Sequence, residues 1–340
     1  MCGARACKVS VLLPPSCLTR LVAPLAAVKS CIAEGLQHLD FNGIGLFGTC
    51  EFVLGELNKI TTLTYLDLYR NNIEGQIPSQ SLHALPNLRV FNMACNNTFG
   101  PIPDLRPMRR LYLLNLNCNF LSGCIPDTLG SVSSLRELWL SHNSLQGPLT
   151  PSIGGLRHLT TLVLGHNYLT GVLPNSLSKL QKLRVLYLQE NRFRGPIPAG
   201  LLELGSSLIS LSLRDNRLTG SIPSDISRLS SLDRLHLGSN ALSGEIPGAI
   251  GQIASLRHLF LSSNDLSGQV PTGDLARPSN IITVDLRDNP RLLSRGRASR
   301  RISLAIRRRR PRRSGGGINV KVLMINPIAE YSDDAEDWRV

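Results

Sequence analysis

Apolar residues follow a pattern that repeats every 23 to 25 residues along most of the chain. With the asparagine of each unit taken as position zero, aliphatic residues occupy positions −8, −5 and −3, as Leu135, Leu138 and Leu140 do before Asn143. Positions −5 and −3 alternate with other residues at period two, which predicts a short strand with one buried face. Stacked at the spacing of a parallel sheet, roughly 4.8 Å, ten such strands would form a sheet about 50 Å long.

Asparagine occupies position zero in ten successive units. Its amide carries two N–H donors and an acceptor, so it can satisfy backbone groups that would lack partners where the chain leaves the strand. A further apolar residue follows at +2, and a glycine at +4 permits positive φ or close approach between units. The residues predicted to form this asparagine ladder are Asn71, Asn96, Asn119, Asn143, Asn167, Asn191, Asn216, Asn240, Asn264 and Asn289.

Self-similarity with a period of about 20 to 29 residues and this leucine frame is the signature of a leucine-rich-repeat solenoid. The predicted fold class is an α/β solenoid, a curved superhelix with a parallel concave β-sheet. Segments such as 127–134 leave room only for short helical or 3₁₀ turns on the convex side. We expect a divergent leader or cap over 1–35, a solenoid of ten to eleven repeats over 36–290, and an unstructured tail over 291–340.

The formal net charge of +13 belongs mainly to the tail, since eleven arginines and no acid lie between Arg291 and Arg313. An acidic end with five carboxylates follows. This arginine-rich segment fits three roles. It could be a solvated linker, it could contact an anionic membrane or a cell-wall polyanion, or it could serve nuclear targeting or nucleic-acid contact. Nucleic acid is not expected as the main partner, and the candidates for an anionic surface are Arg307, Arg308, Arg309, Arg310, Arg312 and Arg313.

The eight cysteines show neither the spacing of a small disulfide scaffold nor a C-x-x-C metal pair. Basic residues before the apolar run 9–13 are typical of a secretory signal, but Pro14 and Pro15 interrupt the run, so secretion stays open. No apolar stretch of 18 residues that could span a membrane is present. The cysteines near the N-terminus, where extracellular caps often carry a disulfide, are Cys2, Cys7, Cys17 and Cys31.

Position −1 brings other reactive side chains together. Cys95 and Cys118 share this column on neighbouring units, where either a disulfide or two free thiols would fit. His142 and His166 also share it, so their rings could approach, although two solvated histidines are the simpler expectation. The sequon at Asn96 coincides with a ladder residue, and we therefore expect no glycan there.

Residues 43–48 spell G-x-G-x-x-G, but no strand-to-helix unit with an acidic partner follows, so no nucleotide site is predicted. The glycines more plausibly serve a degenerate first repeat over 36–48, with Ile44 in place of the asparagine. The repeats offer no arrangement of a nucleophile, a base and oxyanion donors from which a catalytic site could be built. No group of three metal-binding residues occurs in the sequence either. The sequence therefore predicts no catalytic residues, no metal and no cofactor.

The frame L-x-G-x-I-P after the asparagine resembles the plant-specific class of leucine-rich repeats. This class occurs in receptor-like kinases, receptor-like proteins and polygalacturonase-inhibiting proteins, and the resemblance covers roughly 63–290. It implies a recognition protein that is extracellular or associated with the plasma membrane. The usual N-terminal cap with paired cysteines and tryptophan, and the C-terminal capping cysteines, are not recognisable.

Side chains at −6, −4 and −2 alternate with the buried leucines and should line the concave face. Aromatic and arginine side chains supply most of the binding energy at protein interfaces, so an exposed aromatic ridge rimmed by polar groups fits a protein or peptide ligand. The alternative is that they only cover a solvated sheet. The predicted ligand-binding residues are Tyr65, Tyr69, Glu137, Trp139, Tyr187, Gln189, Arg214, Arg234, His236, His258 and Phe260.

The leading functional hypothesis is a non-catalytic recognition protein in plant signalling or defence. It would bind a protein or peptide ligand, or a receptor-kinase co-receptor, through the concave face. Two alternatives remain at this point: an inhibitor of a secreted cell-wall hydrolase, and an intracellular leucine-rich-repeat scaffold.

Overall fold

A computed structural model of the chain describes residues 8–10, 36–275, 281–293, 305–307 and 322–323. Between residues 36 and 293 the chain winds in successive coils, each of one repeat. Each coil contributes a strand to a concave sheet and, where the second sheet extends, a strand to that sheet as well. The predicted solenoid with a parallel concave sheet is therefore confirmed.

The concave sheet contains fourteen strands. Neighbours run parallel and pair residue for residue, so that Leu138 lies beside Leu114 on one side and Leu162 on the other. Two last strands join antiparallel. The strands are Lys8–Ser10, His38–Asp40, Tyr65–Asp67, Val90–Asn92, Leu113–Asn115, Glu137–Trp139, Thr161–Val163, Val185–Tyr187, Ser210–Ser212, Arg234–His236, His258–Phe260, Thr283–Asp285, Ala305–Arg307 and Val322–Leu323.

A second parallel sheet contains eleven strands, and nine of them begin directly after the asparagine of their coil. The sequence analysis missed this sheet, because the glycine and proline of the segment are turn formers. Glycine at +4 has φ between +75° and +93° in nine coils and is the last or second-to-last residue of each of these strands. The strands are Phe47–Thr49, Asn72–Gln76, Asn97–Gly100, Phe120–Gly123, Ser144–Pro148, Tyr168–Val172, Arg192–Gly195, Arg217–Gly220, Ala241–Glu245, Asp265–Gln269 and Arg291–Leu293.

Short helices complete the coils on the convex side, as predicted. The first coil differs, because it carries an eight-residue α-helix, Cys50–Leu57, whose first turn is capped by Thr49 Oγ1 accepting from the Phe52 amide at 3.2 Å. The other α-helices are Ser79–His83 and Thr272–Leu275. The 3₁₀ helices are Asp127–Ser131, Pro151–Gly155, Asn175–Lys179, Ala199–Leu204, Ile226–Arg228 and Gly248–Gln252.

A single hydrophobic core runs through the solenoid from Leu36 to Leu292. In a typical coil the leucines at −8, −5 and −3 are Leu159, Leu162 and Leu164, and none of them exposes any surface. Burying one leucine side chain stabilises a fold by about 1.5 to 3 kcal/mol. Because each coil has an open face of leucines on both sides, its stability depends on its neighbours.

The asparagine ladder is confirmed in all ten coils. Asn167 shows the pattern: its Nδ2 donates to the carbonyls of Leu140, Leu164 and Gly165 at 2.9, 3.1 and 3.2 Å, and its Oδ1 accepts from the Leu145 amide at 3.0 Å. Two of these partners belong to the preceding coil and two to the same coil. The side chain therefore replaces the backbone partners that are lost where the strand ends.

Asn96, the residue of the sequon, belongs to this ladder. It is 5% exposed, and its Nδ2 donates to the carbonyls of Leu68, Met93 and Ala94 at 2.8, 3.2 and 3.2 Å. A sugar on this nitrogen would displace those bonds. The absence of a glycan at this position stays a prediction.

The residue before each ladder asparagine adopts the left-handed conformation, with φ between +50° and +55°. Such values are uncommon for residues other than glycine. The asparagine bonds to the carbonyls at −3 and −2 hold the turn in this shape, so the residue type at −1 varies freely. The ten residues are Arg70, Cys95, Cys118, His142, His166, Glu190, Asp215, Ser239, Ser263 and Asp288.

Small residues let the convex turns approach each other closely. A Cβ atom added at Gly155 would lie 2.2 Å from the carbonyl oxygen of Gly130 in the preceding coil, and one at Gly251 would lie 2.1 Å from that of Asp274. Backbone atoms cannot move aside without shifting a whole coil. Glycine at these positions therefore sets how tightly adjacent coils stack.

Several predictions concern residues outside the described ranges. These are the secretory leader and the N-terminal cysteines, and the tail arginines 308–313; of Arg307 only the backbone is described, in the strand Ala305–Arg307. Among the described residues no helix is long and apolar enough to cross a membrane.

We expect Asn167→Ala to lower the free energy of unfolding by about 3 kcal/mol, because buried carbonyls and an amide lose their partner. Asn97→Ala, the same change on an exposed strand residue, should alter it by less than about 0.5 kcal/mol. Urea denaturation of both variants measures the difference. Equal midpoints would show that the ladder bonds add nothing to stability.

Gly155→Ala should destabilise the chain by about 2 kcal/mol, because the new methyl group would press on the neighbouring backbone. The matched control is Gly55→Ala in the helix Cys50–Leu57, where nothing lies within 4 Å of the added Cβ. That change should be neutral or stabilise by up to about 1 kcal/mol, since alanine is the better helix former. Thermal melting monitored by circular dichroism compares the two, and a stable Gly155 variant would contradict the role of close backbone approach.

Candidate binding surface

The eleven predicted ligand-binding residues all lie on the concave sheet or directly after its strands. Ten of them are half-buried, and Arg234 is exposed. They come from positions −6, −4 and −2, so their side chains project from the face opposite the leucine core. The strand pairing places those of one column side by side along the solenoid.

Position −4 forms the central row of this surface, and large and small side chains alternate along it. Trp139 lies beside Val163, and Tyr187 lies between Val163 and Ser212. Val163 is only 5% exposed, so the ridge expected from the sequence is interrupted at Val163 and at Ser212. We call this line the aromatic row; its members are Trp139, Val163, Tyr187, Ser212, His236 and Phe260.

Hydrogen bonds orient the large side chains of the aromatic row. The indole Nε1 of Trp139 donates to Glu137 Oε2 at 3.1 Å, and the hydroxyl of Tyr187 lies 3.0 Å from Ser210 Oγ. Each ring is held at its polar end, which leaves the rest of the ring toward the concave side. Such restrained aromatic groups lose little conformational entropy on binding.

Gln189 lies beside Tyr187 at position −2 and folds over a glycine of the previous coil. A Cβ added at Gly165 would lie 2.7 Å from the Gln189 Nε2 atom. The Gln189 Oε1 atom is buried and has no hydrogen-bond partner within the described part of the chain. A buried acceptor of this kind is out of reach of a ligand unless the side chain turns outward.

The C-terminal end of the row is a cluster of rings and charges. Phe260 lies 4.8 Å from the ring of His236 and 6.4 Å from that of His258, between centroids. Burial lowers the pKa of His258, and the nearby Arg234 and Arg257 add to this effect, while Asp233 opposes it. Asp233 pairs with both arginines, at 3.5 and 3.3 Å. Burial therefore favours the neutral form of the imidazole.

Tyr65 and Tyr69 belong to a separate cluster near the first coils. The Tyr65 ring stacks on His38 with centroids 3.9 Å apart, and its hydroxyl donates to Asp67 Oδ2 at 3.2 Å. Burial and the Asp67 carboxylate raise the pKa of Tyr65 to about 12. Asn92 and Asn115 occupy position −4 between this cluster and Trp139, so the predicted residues form two aromatic regions.

Column −1 brings together the pairs that the sequence suggested. The rings of His142 and His166 stack with centroids 3.9 Å apart, and His166 Nδ1 lies 2.7 Å from Glu190 Oε2. The two rings therefore do approach each other, although the simpler expectation from the sequence was two separately solvated histidines. Cys95 and Cys118 are free thiols, and burial together with Cys95 raises the pKa of Cys118 to about 12.

Sequence reasoning missed a groove at the start of the concave strands, because only columns −6, −4 and −2 were considered. The groove has a volume of about 730 Å³ and draws its side chains from columns −9 and −7. An excess of basic residues in these two columns was the signal that could have found it. We call this feature the basic groove; it is lined by Arg89, Arg110, Tyr112, Ser134, Arg136, His158 and Lys182.

The chain matches two leucine-rich-repeat family profiles, one over 150–193 and 206–266 and the other over 62–83 and 134–156. It is 31% identical over 129 residues to the volume-regulated anion channel subunit LRRC8A of Rattus norvegicus, covering 37% of this chain and 16% of that protein. Receptor-like protein 9a of Arabidopsis thaliana is 33% identical over 77 residues, with 23% of this chain and 8% of the relative covered. The chain therefore spans only a small part of these relatives.

Solved structures with the same fold include plant receptors. The plant peptide hormone receptor RGFR1 in complex with RGF2 superimposes with a TM-score of 0.66 at 34% identity, over 70% of this chain and 38% of the receptor chain. The PEPR1–AtPEP1 structure gives a TM-score of 0.67 at 32% identity, over 76% and 39% of the two chains. With the ten-coil asparagine ladder and the L-x-G-x-I-P frame, these matches show a leucine-rich-repeat protein of the plant type that is similar to plant receptor-like proteins and receptor kinases.

Proposed function

We propose that this chain is a non-catalytic recognition protein that binds a peptide, or an extended segment of a protein, along the aromatic row. The observation that carries the proposal is the pair Trp139 and Tyr187. Both rings are held by hydrogen bonds at their polar ends, on a sheet whose strands are locked in register.

The spacing of the aromatic row suits an extended ligand. Two coils separate Trp139 from Tyr187, so their strands lie about 10 Å apart, and Val163 leaves a recess between them. A peptide in extended conformation places side chains on one face every ~6.7 Å, so one apolar side chain can enter the recess between the two rings. The Glu137 carboxylate would then meet a backbone or side-chain donor of the ligand.

Similar proteins support a ligand of this class. The superimposed structures are described as a peptide hormone receptor in complex with RGF2 and as PEPR1–AtPEP1. A related receptor, HAESA, is described with a peptide hormone ligand and superimposes at a TM-score of 0.66 and 27% identity. We transfer from them the ligand class and a role in plant signalling or defence, and we extend the proposal to a receptor-kinase co-receptor as a second partner.

The test begins with a phage-displayed peptide library selected against the full-length chain, and the Kd of selected peptides is then measured by isothermal titration calorimetry. We expect Trp139→Ala together with Tyr187→Ala to raise Kd at least 30-fold. Each ring at the centre of such a contact contributes about 2 kcal/mol.

The matched control removes two aromatic rings elsewhere. Phe99 and Phe120 pair in the second sheet and are 49% and 61% exposed, and Phe99→Ala with Phe120→Ala should leave Kd within about twofold. If selected peptides bind the Trp139 and Tyr187 variant as tightly as the original chain, the aromatic row is not the binding site. Loss of binding in the Phe99 and Phe120 variant would place it on the second sheet.

We further propose that the chain acts outside the cell or at the plasma membrane. To test this, the chain is expressed in plant cells with a fluorescent tag at its C-terminus. We expect fluorescence at the cell periphery. After plasmolysis the fluorescence should remain in the wall space or on the retracted plasma membrane. A signal confined to the cytosol or nucleus would favour the intracellular scaffold instead. Inhibition of a purified cell-wall hydrolase at stoichiometric concentration would favour the inhibitor hypothesis over reception.

A further inference from the structure

Five successive coils contribute basic side chains to the basic groove. Arg89 comes from the first of these coils, Arg110 from the second, Arg136 from the third, His158 from the fourth and Lys182 from the fifth. Parallel strands lie about 4.8 Å apart, so the five side chains are distributed over about 19 Å along the solenoid. The groove therefore presents a line of positive groups.

The sheet presents these side chains on a rigid base. The carbonyl of Arg89 accepts from the amides of Tyr112 and Leu113, at 2.8 and 3.1 Å, and the carbonyl of Arg136 accepts from those of Thr160 and Thr161, at 2.8 and 3.1 Å. Each arginine backbone is thus tied to the following coil. The positions of the cations follow from strand register and do not depend on a flexible loop.

Two of the cations are also held through their side chains. The Arg110 Nη1 atom donates to Asn87 Oδ1 at 2.7 Å, and Lys182 Nζ donates to His158 Nδ1 at 3.2 Å. Neither Asn87 nor His158 is a carboxylate, so neither contact forms an ion pair that removes positive charge from the groove. The remaining N–H donors of both cations are available to an anion.

No acid neutralises the groove. Elsewhere in the described part of the chain arginines pair with carboxylates, as Arg106 does with Asp104 at 2.8 Å and Arg287 with Asp285 at 2.7 Å. Within the same described ranges Arg89, Arg136 and the other cations of the groove form no ion pair. A concave surface lined by one sign of charge concentrates counter-ions and attracts ligands of opposite charge.

The surroundings strengthen this field. The residues at positions −10 and −7 in the same coils add Arg109, Arg157 and Arg184, all exposed. Glu137 is the nearest acid along the chain, and its carboxylate already accepts from the Trp139 indole. Tyr112, 38% exposed in the middle of the groove, supplies an apolar surface between Arg89 and Arg136.

We propose that the basic groove binds an acidic segment of a peptide or protein partner, with at least two carboxylates facing Arg110 and Arg136. Guanidinium groups match carboxylates with two parallel hydrogen bonds. A groove about 19 Å long accommodates about six extended residues. The choice of a peptide rests on the proposed function, because Arg136 precedes Glu137 and Trp139 on one strand, and a peptide on the aromatic row would reach the groove.

The test uses a fluorescein-labelled hexapeptide in which glutamate and serine alternate, and a second peptide with glutamine in place of every glutamate. Binding to the full-length chain is followed by fluorescence anisotropy at low salt. The ten arginines between positions 295 and 313 are changed to glutamine in every protein used, so that the tail does not supply the anion binding. We expect the glutamate peptide to bind and the glutamine peptide to show at least tenfold weaker binding.

The decisive comparison is between two double variants: one removes two positive charges from the groove, and the other removes two positive charges from another surface. Arg110→Ala with Arg136→Ala should raise the Kd of the glutamate peptide about tenfold, since each exposed charge pair contributes about 0.2 to 1 kcal/mol. The control is Arg194→Ala with Arg217→Ala, two exposed arginines that pair in the second sheet. This variant has the same net charge and should keep Kd within about twofold.

Two outcomes would overturn the proposal. Equal weakening in both double variants would mean that the peptide responds only to net charge. The second outcome is that polygalacturonate binds more tightly than the glutamate peptide at equal carboxylate concentration, and that the groove variant loses this binding. That result would assign the groove to an acidic polysaccharide.

The Trp139 and Tyr187 double variant separates this inference from the proposed function. The short glutamate peptide fits within the groove, so removing the two rings should leave its Kd unchanged. Binding of this peptide that depends on the groove alone would stand even if no library peptide used the aromatic row. Conversely, if the glutamate peptide still binds the variant with Arg110→Ala and Arg136→Ala, the inference about the basic groove is wrong. The proposal that the aromatic row binds a peptide is not affected by that result.

Discussion

The buried asparagine at the end of each concave strand holds one coil to the next, and the remaining features of the molecule depend on that contact. Its side-chain NH₂ group donates hydrogen bonds to carbonyls in two adjacent coils, as Asn167 does to Leu140 and Leu164. Its side-chain oxygen accepts a hydrogen bond from a backbone amide of the earlier coil, which for Asn167 is that of Leu145. Without these bonds the strand would end on buried backbone groups that have no partner, which costs about 1 to 3 kcal/mol per group. Ten repetitions of the same contact force the coils into one register.

Register turns side chains that are about 24 residues apart in the chain into neighbours in space. The aromatic row and the basic groove are both built from columns of this kind, and they meet at the strand Glu137–Trp139, which Arg136 directly precedes. A ligand that crosses both would find aromatic contacts, which supply affinity, beside unpaired cations, which raise the rate of encounter with an acidic partner. The same repeat that stabilises the fold therefore also arranges the surface.

Much of this arrangement follows from local pattern. The period-two alternation of Leu138 and Leu140 assigns one face of a strand to the core, and the column of asparagines requires stacked coils. The columns that face outward follow from the same alternation, which is why Trp139, Tyr187 and Phe260 could be placed on the concave surface before the structure was known. The shared column of His142 and His166 was visible in the sequence as well, but the stacking of their rings was not predicted from it.

Other features depend on contacts between coils, which local pattern does not contain. Pairing between neighbouring coils makes a second sheet out of segments rich in glycine and proline. It also buries Val163 and so divides the aromatic row. The cations of the basic groove come from five different coils, and their lack of acidic partners is a property of that assembly. A repeat frame dictates which face a side chain takes because the backbone alternates at short range; which groups then share a groove depends on curvature, side-chain length and the neighbours that stacking supplies.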